Sequence, residues 1–318
     1  MKLLSTLRMA SVASTAFAMA LGASALSVSA QDLEIGVIVK TLSNTFWFDL
    51  AEGAKQAGVD DGHINVTVVS PSSEAAIEEQ VAKVNNMVAA GVDAIVIAPL
   101  APVQLEPALQ AAVDAGITVV LVDTDIPGWD GKTAYVGTNN VNAAKSAGEW
   151  LAEQLGGAGK VGLINGTPGV TAVDDRIAGM RAGLADTDIE IVSELAAIDC
   201  LVENGVKAVE NLTTAHPDVN AIFVACGPAA VGAGQAMRNL GMDFGEVLLV
   251  GYDAAPGEID SIKAGEQAAT VAQRQARMGG LSVEIAAMAA RGETIAESSI
   301  DTGALVVTSA NVQEYAPD

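Results

Sequence analysis

The sequence predicts an α/β protein of two lobes, each a parallel β-sheet covered by helices on both faces. Val/Ile-rich runs alternate with amphipathic helical stretches along the chain beyond about residue 31, which is the rhythm of parallel βαβ units. That rhythm stops near Tyr135–Gly137 and starts again, so there are two series and two sheets. The chain has 318 residues, of which 288 remain once a 30-residue leader is set aside. That length is near the upper limit for one hydrophobic core. No low-complexity linker separates the two series. Strand-like crossings are therefore expected to join the halves, and two lobes joined in this way enclose a hinged cleft.

Met1 to Ala30 carries Lys2 and Arg8, an apolar run from Met9 to about Leu26, and the small residues Val28-Ser29-Ala30. This pattern predicts a secretory signal peptide cut before Gln31 and hence an exported protein. No Cys lies near the cut, so a lipid anchor is not expected, and no later stretch offers about 18 uninterrupted apolar residues for a membrane span. The first series then reads as strands at Leu33–Val39, Ile64–Val69, Ala94–Ala98 and Ile117–Val122. Helices between them run near Asn44–Asp60, Glu74–Ala90 and Pro102–Ala115, with Asn44 as an N-cap. In the second series, strands lie near Lys160–Asn165, Ile189–Glu194, Ala221–Ala225, Val247–Gly251 and Ala269–Ala272. Its helices lie near 141–155, 171–185, 202–215, 229–240, 256–264 and 274–290.

The net charge is −23 for the whole chain, and without Lys2 and Arg8 it is −25. Such a field repels phosphate backbones and anionic lipid, which excludes nucleic acid and membrane surfaces as partners. Two cysteines, Cys200 and Cys226, are present in a chain bound for an oxidising compartment. Each follows a strand, and those strands are expected to be neighbours. A single bridge and a pair of small buried thiols both fit this reading.

Five Phe, three Trp and three Tyr are all the aromatics in the chain, and three of them stand together as Phe46, Trp47 and Phe48. The triplet follows the first strand, where open α/β sheets bind ligands, and reads as a stacking platform. Successive helix positions cannot all face one way, so at least one of the three packs into the core. Single polar residues recur at other strand ends: Asp123, Asp253 and Gln273, with Arg176 on the helix after Lys160–Asn165. Carboxylates accept hydroxyl donors, a guanidinium supplies a fork of donors and an amide does both, a mixture suited to a neutral polyhydroxyl ligand.

No constellation of catalytic residues is visible. His63 and His216 have no acidic or Cys partner in a recognisable arrangement. Gly156-Gly157-Ala158-Gly159-Lys160 lacks both the leading Gly and the trailing Ser or Thr of a phosphate loop, and no G-x-S-x-G elbow or metal-ligand cluster occurs. No cofactor and no metal are expected, and the chain is not expected to be an enzyme.

These residues resemble the periplasmic sugar-binding proteins of ABC importers that look like the ribose-binding protein. The resemblance spans the mature chain. It is carried by Thr41-Leu42-Ser43-Asn44-Thr45-Phe46-Trp47, by Leu121-Val122-Asp123, by 212–218, by Val250-Gly251-Tyr252-Asp253 and by Ala269-Thr270-Val271-Ala272-Gln273. It implies the periplasmic binding protein-like I fold, with two Rossmann-like lobes joined by three hinge crossings. Residues 31–138 plus 274–301 would form one lobe and 139–273 plus 302–318 the other. The implied ligand set is Lys40, Asn44, Phe46, Trp47, Asp123 and Thr124 from the first lobe, and Arg176, Cys200, Cys226, Asp253 and Gln273 from the second lobe and hinge. The implied partners are a monosaccharide or polyol and an inner-membrane ABC permease, with the protein a periplasmic monomer.

Three departures bear on the ligand. Thr124 and Asp125 stand where the ribose-type pattern has an Arg after the strand-end Asp. Cys200 replaces an aromatic and Cys226-Gly227 an Asn-Asp pair. Lys40 replaces a small hydroxyl residue. These changes point away from ribose toward another monosaccharide or an acyclic polyol. The competing role is a sensor that presents the closed form to a chemoreceptor or sensor kinase. A secreted carbohydrate-cleaving enzyme would need Asp123 and Asp253 poised as an acid and nucleophile pair, whereas they are expected on opposite lobes. The signal peptide and the absence of an N-terminal helix-turn-helix exclude a transcriptional regulator.

Overall fold

The computed structural model describes residues 32–316, so the expected leader Met1–Ala30 and its cleavage point lie outside the described residues. The chain first runs through β1 (Leu33–Ile38), α1 (Thr45–Asp61), β2 (Ile64–Val69), α2 (Ile77–Ala90), β3 (Ala94–Ile97), α3 (Pro102–Asp114), β4 (Thr118–Val122) and β5 (Ala134–Gly137). It continues through α4 (Asn140–Gln154), β6 (Ala158–Asn165), α5 (Thr171–Leu184) and β7 (Asp188–Ala196). After a short 3₁₀ turn at Ile198–Cys200 come α6 (Val202–Ala215), β8 (Ala221–Val224), α7 (Gly227–Asn239), β9 (Leu248–Tyr252), α8 (Pro256–Ala264) and β10 (Ala269–Gln273). The last elements are α9 (Gln275–Ala290), β11 (Ser299–Asp301) and β12 (Ala304–Thr308).

The strands form two six-stranded sheets, ordered β11-β5-β4-β3-β1-β2 and β12-β10-β9-β8-β6-β7. Every pairing in the first sheet is parallel. In the second, only the β10–β12 pair is antiparallel. β3 and β8 are buried along their whole length, as strands covered by helices on both faces must be, whereas the edge strand β7 alternates exposed and half-buried positions. The chain passes between the sheets three times: from β5 to α4, from β10 to α9 and from β11 to β12. Two of these crossings are tied together. Thr302 N and Oγ1 both donate to Gly137 O (2.8 and 3.2 Å), and Asn139 N donates to an Asp301 carboxylate oxygen (3.0 Å).

α9 returns to the first lobe because it packs directly on α1. A Cβ added at Gly53 would collide with the backbone of Ala276, and one at Gly279 with the backbone of Leu50, so glycine at these positions lets the two helices touch backbone to backbone. Around this contact Leu50, Ala54, Met278, Val283 and Ala286 join the strands of the first sheet in one core.

Several elements depart from the sequence reading. The helix expected from Glu74 begins at Ile77, because Ser73–Ala76 form a turn closed by Ala76 N donating to Ser73 O (3.1 Å), and Ser72 N donates to Glu79 (2.8 Å). α7 begins at Gly227 rather than Ala229, with Cys226 at the N-cap position and Pro228 in its first turn, where a missing N–H costs nothing. The strands preceding Cys200 and Cys226 are not neighbours, since β6 lies between β7 and β8. β11 and β12 have no counterpart in the predicted strands.

The second lobe buries a carboxyl group among neutral hydrogen-bond donors. Glu258 accepts from Ala255 N (2.9 Å), Gln267 Nε2 (2.9 Å) and Thr270 Oγ1 (2.9 Å). Burial, helped by the charge of Asp253, outweighs those donors and pushes its pKa up to about 8. The folded state therefore binds a proton that the unfolded state has released. Stability should fall as pH rises from about 4.5 to about 8, with a slope approaching 1.4 kcal/mol per pH unit from this group. Urea denaturation between pH 5 and 8 checks this, and Glu258→Gln should flatten the profile relative to the parent protein.

Candidate functional site

The carboxyl ends of β1 and β4 in one sheet and of β6, β8 and β9 in the other face each other across a cleft between the lobes. The first sheet brings Lys40, just beyond β1, together with Asn44, Phe46 and Trp47 at the start of α1 and Asp123 just beyond β4. The second brings Ala172, Val173 and Arg176 on α5, Cys200, Cys226, Pro228 and Asp253. With Glu74, these residues line a space of about 40 Å³.

Local structure positions each side chain. Asn44 caps α1 by accepting from Phe46 N (3.1 Å), which fixes the turn carrying the aromatics. Phe46 and Trp47 point inward and meet edge to face, with centroids 4.7 Å apart, while Phe48 is 50 % exposed and stands outside the site. The triplet is therefore split by helical periodicity, two members at the cleft and one in solvent. Trp47 serves both readings of the triplet, being part of the first-lobe core and also lining the cavity. Its Nε1 donates to Glu74 (2.8 Å), and Lys40 Nζ lies 5.2 Å from its ring centroid.

Both strand-end aspartates adopt positive φ, 62° at Asp123 and 86° at Asp253, a left-handed turn that Asp tolerates better than most residues. Each aspartate is neutralised within its own lobe. Asp123 accepts from Thr124 Oγ1 (2.7 Å), and Lys40 Nζ donates to the same hydroxyl (2.9 Å) while lying 3.7 Å from the carboxylate. Asp253 accepts from Gln273 Nε2 (2.7 Å) and Gly227 N (2.9 Å) and pairs with Arg176 Nη1 (3.3 Å).

Arg176 is the hub of the second lobe. Its Nε donates to Asn140 Oδ1 (2.9 Å), its Nη1 donates to Ala225 O (2.8 Å), and its guanidinium lies 4.0 Å above the Tyr252 ring. Nη2 is turned to the opposite lobe, 4.0 Å from Asp123. Burial works against the cation, but Asp253 and Asp123 overcome it, so the guanidinium is held protonated. Across the cleft, burial pushes the Glu74 carboxyl above the usual range, opposed by Lys40 and by the Trp47 hydrogen bond.

Cys200 and Cys226 form a disulfide with Cα atoms 6.0 Å apart. The thiol alternative is thereby discarded. The bridge reaches past β6 because the turn at Ile198–Cys200 folds back over the strand ends, with Asp199 and Cys200 both at positive φ (56° and 53°).

Of the expected site residues, Lys40, Asn44, Phe46, Trp47, Asp123, Arg176, Cys200, Cys226 and Asp253 come together around one space. Thr124 and Gln273 do not line it. They stand behind the aspartates and orient them, and the buried Gln273 Oε1 has no hydrogen-bond partner. Sequence reasoning missed Glu74, although it too follows a strand of the first sheet; the helix expected there hid it. Asn140, Tyr135 (whose hydroxyl donates to Asp123 O, 2.9 Å) and Tyr252 (whose hydroxyl donates to Asn140 Oδ1, 3.0 Å) support the site from behind. Among the described residues no group of acidic, His or Cys side chains could hold a metal ion.

Comparison with known proteins places this architecture. The family model described as a periplasmic binding protein domain matches residues 35–294. The chain belongs to the periplasmic binding protein family, whose members are substrate-binding transport proteins. It is 30 % identical over 256 residues to the ribose import binding protein of Bacillus subtilis, covering 80 % of this chain and 81 % of that one. Among solved structures it is similar to an ABC transporter solute-binding protein from Burkholderia graminis in complex with D-arabinose. The TM-score is 0.84 and the identity 30 %, over 90 % of this chain and 98 % of that one. A solute-binding protein from Bacillus halodurans with bound myo-inositol superposes with a TM-score of 0.83 at 25 % identity, over 91 % of this chain and 99 % of that one.

Two stability predictions follow from the geometry. Arg176→Met should lower the unfolding free energy without ligand by about 3–5 kcal/mol, because Asp253 stays buried without its cation; urea denaturation at pH 7 measures this. Replacing both Cys200 and Cys226 by Ala should cost about 3.5 kcal/mol, the chain-entropy value for a bridge spanning 26 residues. Reduction of the parent protein should move its urea midpoint toward that of the variant.

Proposed function

We propose that the protein captures a monosaccharide or sugar alcohol in the interlobe cleft of the periplasm and delivers it to an ABC permease. The observation that carries this reading is the pair of buried strand-end aspartates, Asp123 and Asp253, facing each other from opposite sheets with one guanidinium between them and two aromatics beside them. Vicinal hydroxyls each donate and accept, so carboxylates and a guanidinium edge hold them by charge-assisted hydrogen bonds while Phe46 and Trp47 cover the C–H face of the ligand. The bound sugars and cyclitol of the similar solute-binding proteins support the same chemical class. The family's name and the leader sequence support export, with the signal peptide removed before Gln31.

In this reading Lys40, Asn44, Phe46, Trp47, Asp123, Arg176 and Asp253 contact the ligand, Thr124 and Gln273 orient the aspartates, and the Cys200–Cys226 bridge forms part of the wall. Residues 31–138 plus 274–301 move against 139–273 plus 302–318 about the three crossings, and the protein acts as a monomer. Closure excludes water, which strengthens every polar contact inside. Ligand drives closure only through contacts that both lobes make with it at once.

A thermal-shift screen of ligand-free protein against pentoses, hexoses, deoxy sugars, alditols and inositols tests the reading. A ligand at about 100 times its dissociation constant should stabilise the protein by about 2.7 kcal/mol. Asp253→Ala should then weaken binding of the best hit by about 1–3 kcal/mol, measured by calorimetry, because ligand hydroxyls and Arg176 lose their acceptor in a dry site. A screen without any hit would overturn the sugar assignment, and near-parental affinity in the variant would overturn the role of Asp253.

A further inference from the structure

The two lobes offer unequal walls. The first lobe brings Lys40, Asn44, Glu74 and Asp123 to the cavity beside its aromatics. The second lobe brings only Arg176 and Asp253, and most of their hydrogen-bonding capacity is spent within the lobe: the guanidinium on Asn140 and Ala225 O, the carboxylate on Gln273, Gly227 N and the guanidinium itself. The rest of that wall is Ala172, Val173, the Cys200–Cys226 bridge and Pro228. None of these carries a side chain able to accept or donate a hydrogen bond of ordinary strength.

Past Lys40, Glu74, Val173 and Cys200 the cavity meets a groove of about 710 Å³ between the lobes. That groove is mixed: its second-lobe side carries Pro168, Val170 and Ile198 beside Thr167 and Asp199, and its first-lobe side Ile77, Leu100 and Val103 beside Gln104. Inside the cavity, a hydroxyl turned to Ala172, Val173, the disulfide or Pro228 loses water and gains no side-chain partner, whereas a methyl or methylene group loses nothing and buries apolar area.

We infer that the cleft selects a deoxy sugar, a monosaccharide-sized ligand whose hydroxyls face Asp123, Arg176 and Asp253 and whose oxygen-free carbon meets Val173 and the disulfide. This inference rests on the reading of the cleft as a sugar site. It makes the bridge and Val173 specificity-determining surfaces, with the Cys200 sulfur filling the space beside Val173 where a polar side chain would have supplied a partner.

The test is calorimetric titration of the ligand-free protein with pairs that differ by one oxygen atom: D-fucose and D-galactose, L-rhamnose and L-mannose, 6-deoxy-D-glucose and D-glucose, 2-deoxy-D-ribose and D-ribose. In at least one pair the deoxy member should bind tenfold to a hundredfold more tightly, the range over which an apolar pocket rejects an added hydroxyl. Val173→Thr, of the same shape with a hydroxyl in place of a methyl group, should shrink that ratio several-fold, and Cys200→Ser/Cys226→Ser should shrink it as well. Equal or tighter binding of the oxygenated parent in every pair that binds overturns the inference and leaves the sugar site standing. A deoxy preference that neither variant moves overturns the assignment of this wall. No binding by any member overturns the inference, and the alditols and inositols of the thermal-shift screen then decide whether the sugar site falls with it.

Discussion

The site depends on one buried cation. Arg176 reaches three other segments of its lobe, the start of α4 through Asn140, the end of β8 through Ala225 O and the end of β9 through Asp253, and it lies on the ring of Tyr252. A guanidinium out of water is costly unless its donors are matched and its charge is met. The fold meets this requirement by ending separate strands at one point, where Asn140, Ala225 O and Tyr252 hold the arginine from behind and Asp253 meets it at the cleft. What remains of the guanidinium, its Nη2 edge, faces the opposite lobe.

The charge arrangement separates holding each lobe together from holding the two lobes together. Asp123 has Lys40 and Thr124 on its own side, and Asp253 has Arg176, Gln273 and Gly227 N on its own. The only ion pair drawn across the cleft between these groups is the 4.0 Å approach of Arg176 to Asp123. Parting the lobes at this point leaves each carboxylate with its own cation, so no buried charge is orphaned. At the hinge the bonds are mostly between backbone and short side chains, with Thr302 on Gly137 O and Asn139 N on Asp301, which tie two crossings to each other. A ligand whose hydroxyls are matched by both aspartates joins the lobes at the point where their own ion pairs lie within each lobe.

The Ile198–Cys200 turn holds two successive non-glycine residues at positive φ, a conformation that costs free energy unless the surroundings impose it. The bridge to Cys226 and the hydrogen bond from Asp199 N to Thr167 Oγ1 (2.8 Å) impose it. Because Cys226 immediately precedes Gly227, whose N–H holds Asp253, the bridge links the apolar wall to the polar floor of the cleft. Shape and charge on this side are therefore set by one connected unit.

Much of this was legible in the chain itself. The Val/Ile-rich runs determined the parallel strands and their helical cover, because a strand buried on both faces has no freedom to be polar. The breaks in those runs located Asp123, Asp253 and Gln273 at strand ends, and Asn44 announced the start of α1. Local sequence was silent on three matters. It did not separate Phe46 and Trp47 from Phe48, because which arc of α1 meets the cleft depends on how that helix lies on its sheet and against α9. It did not reveal Glu74, because a turn and a first helical residue have the same composition until Trp47 Nε1 supplies a partner from another element. It left the cysteines undecided, because Cys200 and Cys226 meet only when the 3₁₀ turn folds back across β6. Periodicity is a property of neighbours along the chain and so survives in sequence. Burial, pairing and charge compensation belong to neighbours in space, and only the tertiary structure decides them.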